Sequence, residues 1–481
     1  MTVATNSDAR ARHGSLTDQH GNPFVGDRDA VAIYDKAIDR LLRYHPDVVD
    51  LGFGLATDHP DVAMAQALMA YLHLTSTDAP DLAPARDAWT AMGRSVMGER
   101  EAIHRDAIGS WLDGDWNGAA AALDRLLLRW PTDLLALQIG HQLDFFRGDA
   151  ANLRDRPGRT LTALDPDHPH TAFVHGMQAF GLEESGHYSA AEAAGLAAVE
   201  VNPDDVWGIH AVVHVYEMQG RVDEGIRFLV SRQDDWGKGN LFTVHNWWHL
   251  AVYLLEADQR DRALAIYDAE VHNEGSDGVP LEMLDASALL WRFVLDGYDT
   301  GERFPALADA WSTHIEPSSW YVFNDVHAVM ALVGAGRVSE AEQHIADLEQ
   351  YVQRAGAGEN VAVTAEVGLP SARAITAFAK EQYDDAVREL MPIRRVQHHF
   401  GGSHAQRDAI ARTLLESALR AGQLDLARAL VSERLSLRDT SVYSWTQRAR
   451  FEAARSNTSA AVTAERTAAA HRDRFAAAAT G

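Results

Sequence analysis

The stretch "GIHAVVHVYEMQGR" places His210, His214 and Glu217 on successive turns of what reads as one helix, and "TVHNWWHLAVYL" repeats the spacing with His245 and His249. Residues four apart on a helix lie on one face, about 5–6 Å from each other. Each histidine pair can therefore converge on a point. Neutral imidazoles so placed suit a divalent metal such as zinc or iron, with His210, His214, His245 and His249 as ligands and Glu217 or Asp325 as carboxylate ligand or orienter. The same groups suit metal-free acid–base work, because imidazole titrates at about pH 6.5. His210, His214, His245, His249, His327, Asp325 and Glu217 form the candidate catalytic set. Arg407, Asp408, Gln406, Asn324, Trp247, Trp248 and His141 are candidates for holding a small polar or anionic molecule, Arg407 by its charge and the tryptophans as apolar walls. Packing alone also accommodates histidines, although several adjacent imidazoles are a costly way to fill a core. The HExxH pattern of zinc proteases is absent, since Ala211 stands where its glutamate belongs.

What positions these residues is a repeat. Strand signals are scarce, while alanine, leucine, glutamate and arginine recur at helical spacing. Six short segments share a loop glycine before an apolar helix face: Gly114, Gly148, Gly186, Gly220, Gly336 and Gly422. A small residue follows five positions later in five of them, Leu153 being the exception. Gly114 to Gly148 is 34 residues, and so is Gly186 to Gly220. Weaker copies centre on Asp258, Gly297 and Glu381. A period of 34 with helix–turn–helix units is the tetratricopeptide repeat. The fold expected is an all-α solenoid of about nine repeats. Residues 1–26 read as a flexible N-terminal segment, 27–455 as a single superhelix with an N-terminal cap helix, and 456–481 as an alanine-rich tail. Setting each loop glycine at position 15 of its unit puts His210, His214 and Glu217 at positions 5, 9 and 12, which face the concave groove in such arrays. Nine repeats carry the array through roughly a full turn, so the groove can close into a pocket.

The totals exclude several classes. The 481 residues carry 43 basic and 69 acidic side chains, a net charge of −26, which disfavours nucleic acid and anionic membranes as partners. There is no cysteine, so thiolate metal sites and cysteine nucleophiles are out. No secretory signal and no apolar run of about 18 residues is seen, and the cytoplasm is the expected location. "AGAGEN" lacks the lysine of a phosphate loop, and no nucleotide cofactor is implied.

At "NPDDVWGIHAVVHVYEM", "HNWWHLAVYLLE", "FNDVHAVMAL", "EVGLPSARA" and "GGSHAQRD" the chain resembles the tetratricopeptide repeat protein 38 family, over about Asp27 to Leu435. The resemblance implies a helical-repeat fold and marks His210, His214, Glu217, His245, His249, Asn324, Asp325, His327, Gln406, Arg407, Asp408 and His141 as motif positions. It implies no particular reaction. Two functions follow as expectations. One is a His-, carboxylate- and Arg-lined pocket binding a small polar molecule, an enzyme being favoured over a passive binder. The other is a non-catalytic scaffold that binds a peptide in its groove.

Overall fold

The computed structural model of the chain describes residues 16–479. The loop residues that mark the repeat are left-handed, with φ between +65° at Gly148 and +80° at Gly114. The weaker copies share the conformation, at Gly297 (+76°) and, without a glycine, at Asp258 (+61°) and Glu381 (+60°). Each ends the first helix of a pair and turns the chain into the second, as between helices Val206–Met218 and Val222–Ser231. The residue five places on packs against the first helix, and Ala119, Ala191, Ala263, Ala341, Ala386 and Ala427 are wholly buried there. Gly225 takes that place beneath Tyr253, whose ring would lie 2.2 Å from an added Cβ. At the exception, Leu153, the facing helix gives way instead. A Cβ on Gly181 would sit 2.2 Å from the Leu153 carbonyl oxygen.

The result is an all-α tetratricopeptide-repeat superhelix. Two short strands, Leu16–Thr17 and Pro23–Phe24, pair antiparallel ahead of the first helix. They correct the expectation of a flexible segment over residues 16–26. Asn22 Nδ2 donates to Asp18 and to the Thr132 carbonyl at 3.1 Å, and Asp18 meets the buried Arg100 at 2.9 Å. The turn reads as loose in sequence because a partner lies 110 residues away. Residues 1–15 of the segment, and 480–481 of the tail, lie outside the described residues. The tail is also more than a tail. Helix Thr458–Ala479 pairs with Val442–Ala454 across Ser456, φ +61°, and Ala461 is buried in the small-residue place. A loop serine hid this unit. No helix among the described residues is long and apolar enough to cross a membrane.

The superhelix closes on itself. Asn324 Nδ2 donates to Thr77, 247 residues away in sequence, His314 meets Asp78 at 3.0 Å, and the Trp116 backbone N–H donates to Glu359 at 2.7 Å. Thr440 Oγ1 donates to the Gly220 carbonyl at 2.6 Å, and Arg474 of the last helix pairs with Asp223 at 2.8 Å. First helices pack side by side around the interior, and His404–Arg420 reaches back to Val206–Met218 and Pro280–Leu295. The concave face is thereby covered by the chain's own next turn.

Gly148 sits on that seam. A Cβ there would lie 1.7 Å from the His398 carbonyl oxygen, at φ +65°. Gly148→Ala is expected to cost at least about 2 kcal/mol in urea denaturation. Gly114→Ala, with the same left-handed strain and nothing within 4 Å, is expected to cost only about 1 kcal/mol.

Candidate functional site

Two neighbouring first helices, Val206–Met218 and Thr243–Glu256, bring His210, His214, His245 and His249 together, with one nitrogen from each within 4.8 Å of the others. Their sequences are apolar almost all round, which is why both helices are buried on several faces. His210 Nε2 lies 3.1 Å from His245 Nε2, which lies 3.2 Å from His249 Nε2. Trp248 stacks on His245 with centroids 5.3 Å apart, and Phe180, Trp207 and Phe242 surround His210. His210, His214 and His249 are buried, and His245 is the member nearest to solvent.

Carboxylates back the outward nitrogens. His245 Nδ1 donates to Asp285 at 2.6 Å, His249 Nδ1 donates to Glu217 at 3.1 Å, and His214 Nδ1 lies 3.6 Å from Glu183. Gln406 Nε2 in turn donates to the second Asp285 oxygen at 3.2 Å. Protons drawn to Nδ1 of His245 and His249 leave both Nε2 atoms bare, so two lone pairs face each other at 3.2 Å. His214 has neither nitrogen hydrogen-bonded, and both oxygens of the buried Glu183 also lack a hydrogen-bond partner. Burial, and then the neighbouring imidazoles, hold His210, His214 and His249 well below the ordinary histidine range. Burial, and then the charges of Glu184 and Glu217, push Glu183 well above the usual carboxylate range. The buried Arg292 lies over the Trp248 ring and is pushed down to about 10 by burial.

The remaining expected residues disperse. Asp325 accepts from Ser319 and His344, not from the cluster, because it faces the second helix of its own unit. His327 donates to the Phe323 carbonyl at 2.7 Å and stays in the core outside the cluster. Asn324 serves the seam with Thr77, and Gln406 caps its helix with Ser403 while holding Asp285, so neither is placed to hold a substrate. Trp247 donates to the Gly237 carbonyl within a local core with Trp236, whereas Trp248 does wall the histidines. Asp408 is the shared counter-ion of Arg412, Arg434 and Arg438. Arg407 donates to the Gly401 and Gly402 carbonyls and to Glu184 at 3.1 Å.

Arg407 and Asp408 do line a cavity of about 620 Å³, with Glu184 and His404 in its wall. The cavity lies beside the histidine cluster, on the far side of the Glu183–Glu184 pair, and no cluster histidine lines it. Asp285 and Glu183 escaped the sequence reading. Their signal was an acidic residue inside an apolar helical run, "EMLDASALLW" and "FGLEESG".

His141 sits apart, edge-on to Trp207 at 5.5 Å, with both nitrogens unpartnered, and Asp144, three residues on, pairs with Arg156. Burial pushes His141 down to about 3. It is neutral when folded and protonated when unfolded below about pH 6.5, so stability falls as pH drops from there, by about 1.4 kcal/mol per unit for each such histidine. His141→Phe is expected to flatten urea-derived stability between about pH 6 and 4 by that share.

No family model matches the chain. Among solved structures, it is similar to the human IFIT1 dimer with m7Gppp-AAAA, at 10% identity and TM-score 0.36, covering 92% of this chain and 95% of that one. It is similar to yeast Tom70 at 12% identity and TM-score 0.33, covering 94% and 95% of the two chains. The anaphase-promoting complex Cut9–Hcn1 tetramer gives 12% identity and TM-score 0.29, covering 94% of this chain and 96% of that one. Likenesses this distant bear on neither the site nor its chemistry.

Proposed function

We propose that the chain is a metalloprotein of the tetratricopeptide-repeat class, in which His210, His214, His245 and His249 hold a divalent transition metal. The observation that carries this is the 3.2 Å approach of His245 Nε2 to His249 Nε2 while carboxylates engage both Nδ1 atoms; with the protons on Nδ1 the contact is repulsive, and a cation between the rings turns it into an attractive one. Ligand nitrogens around tetrahedral zinc lie about 3.3 Å apart, given bonds of about 2.0–2.1 Å, and the closest pairs here are at 3.1 and 3.2 Å. Imidazole donors suit zinc, iron, nickel or copper. The carboxylates fix ring orientation and raise ligand basicity. Imidazoles held neutral far below their usual range favour metal binding over metal-free acid–base work, the other role their sequence spacing allowed.

Four imidazoles fill a tetrahedral shell, so Lewis-acid or hydrolytic chemistry on a small polar molecule would need a fifth position at the metal and a path to it from the adjoining cavity. A peptide-binding role would have to use that cavity or the outer surface, since the concave histidine stripe is filled by the chain itself. The resemblance to the tetratricopeptide repeat protein 38 family is carried by the motif stretches alone and adds no reaction to this reading. Elemental analysis of purified protein, followed by zinc and ferrous-iron titration of stripped protein, tests it. About one metal per chain is expected. Neither bound metal nor uptake would sink the proposal.

A further inference from the structure

The cavity beside the cluster is lined by two unlike sets of side chains, the first charged and the second apolar. The first holds Arg394, Arg395, Arg407, Arg434 and Arg438, with the carboxylates of Glu184, Asp408 and Glu433. Five arginines against three carboxylates leave a local balance of two positive charges, in a chain whose net charge is −26. The carboxylates are shared rather than matched. Arg434 and Arg438 both reach Asp408, at 2.7 and 3.1 Å, and Arg394 and Arg395 both reach Glu433, at 2.8 and 3.5 Å. Arg434 Nε is buried with no hydrogen-bond partner. The arginines thus outnumber the carboxylates they reach and keep guanidinium donors free for a further anion.

The second set is apolar. Phe145, Leu153, Met218 and Leu430 form it, and Leu437 stands beside them 78% exposed. Leu437 continues the apolar lining of Phe145, Leu153, Met218 and Leu430 to the rim, so the cavity offers a ligand charge and hydrocarbon together. A volume of about 620 Å³ sits within the range of small-molecule sites.

We infer that this cavity binds an amphipathic anion, a carboxylate or phosphate group carried on a short apolar tail. The anion lies among the arginines, where guanidinium forks match carboxylate and phosphate geometry. The tail lies along Met218, Leu430 and Leu437. Arg407, already engaged with Gly401, Gly402 and Glu184, positions the wall and leaves the headgroup to the other four arginines. The inference rests on the proposed function for its meaning as a substrate class, but the binding itself needs no metal.

Calorimetric titration of the metal-stripped full chain tests it, with octyl phosphate, octanoate, octanol and inorganic phosphate as probes. Octyl phosphate or octanoate is expected to bind, the tighter one identifying the headgroup, with octanol and inorganic phosphate each at least about tenfold weaker. Two surface variants keep the fold out of question. Arg394→Gln with Arg395→Gln removes two rim charges, and Leu437→Ser removes the exposed apolar contact. Each is expected to weaken binding about tenfold. No binding by either anion, octanol binding as tightly as the anions, or unchanged affinity in both variants would overturn the inference. A chain that takes up zinc but neither anion would lose this inference and keep the metal centre. A chain that binds octyl phosphate but no metal would do the reverse.

Discussion

For the proposed metal centre, alanine at His245 is expected to leave the chain unable to retain metal. His245 Nε2 lies within 3.2 Å of both His210 and His249, so it is the central member of the four. Its loss removes a donor and both short nitrogen contacts at once. Zinc affinity measured by equilibrium dialysis is expected to fall more than about 100-fold, beyond the 10–100-fold typical for an outer partner. Asp285→Asn should fall within that outer range, because the amide cannot draw the Nδ1 proton as the carboxylate does at 2.6 Å. A specific stability signature accompanies the loss. Metal at about a thousandfold excess over its dissociation constant stabilises a folded chain by about 4 kcal/mol. The proposed centre predicts a rise in thermal midpoint when zinc is added to the parent chain, and that rise should be absent in His245→Ala and in His245→Gln. The glutamine variant retains a donor for Asp285, which separates metal loss from a stranded buried charge. Parent-level zinc content in both variants would place the metal elsewhere.

The second large effect is on stability. Asp408→Ala is expected to cost about 3–5 kcal/mol by urea denaturation. Asp408 Oδ2 accepts from Arg412 at 2.7 Å, while Oδ1 accepts from Arg434 at 2.7 Å and Arg438 at 3.1 Å. Burial alone would raise this carboxyl, but the guanidinium groups, Arg434 foremost, hold it well below the usual range. Removing it leaves three largely buried guanidinium groups without their shared carboxylate, and only Arg412 has a second one, Glu256 at 3.2 Å. Because the folded-state value is depressed, this stabilisation is present above the unfolded value of about 3.9 and is lost as pH falls below it. The difference between parent and Asp408→Ala should therefore shrink at acid pH. A variant as stable as the parent at pH 7 would mean the arginines find other partners.

The sequence carried the repeat clearly, because each loop residue is a local decision. A left-handed turn and a small residue five places on are visible at Gly114 or Gly220 without knowing anything distant. The histidine cluster was legible for a related reason. The i, i+4 spacing fixes a face, and the loop phase turns that face inward. What stayed hidden depends on the second turn of the superhelix. Asp285 reaches His245 from the next first helix, and Gln406 reaches Asp285 from 121 residues away. Asn324 occupies a groove position in a single repeat, yet closure makes that position a seam, and its amide binds Thr77. Asp325 looked like an orienter for the cluster and instead serves His344, since one step along a helix rotates a side chain by about 100°. Ser456 concealed a whole unit because it adopts the left-handed turn without being glycine.

Open repeat arrays unfold piecemeal, since each unit touches only its neighbours and stability is a sum of local terms. The contacts from Thr77 to Asn324, Trp116 to Glu359 and Gly220 to Thr440 break that independence. They join segments more than 200 residues apart, so the closed form is complete only when those segments have met. An end unit cannot fray without uncovering the middle of the array. The histidine centre, built on two adjacent helices, is thereby held by cooperativity across the whole chain, and truncation at either end reaches it as surely as a change beside it.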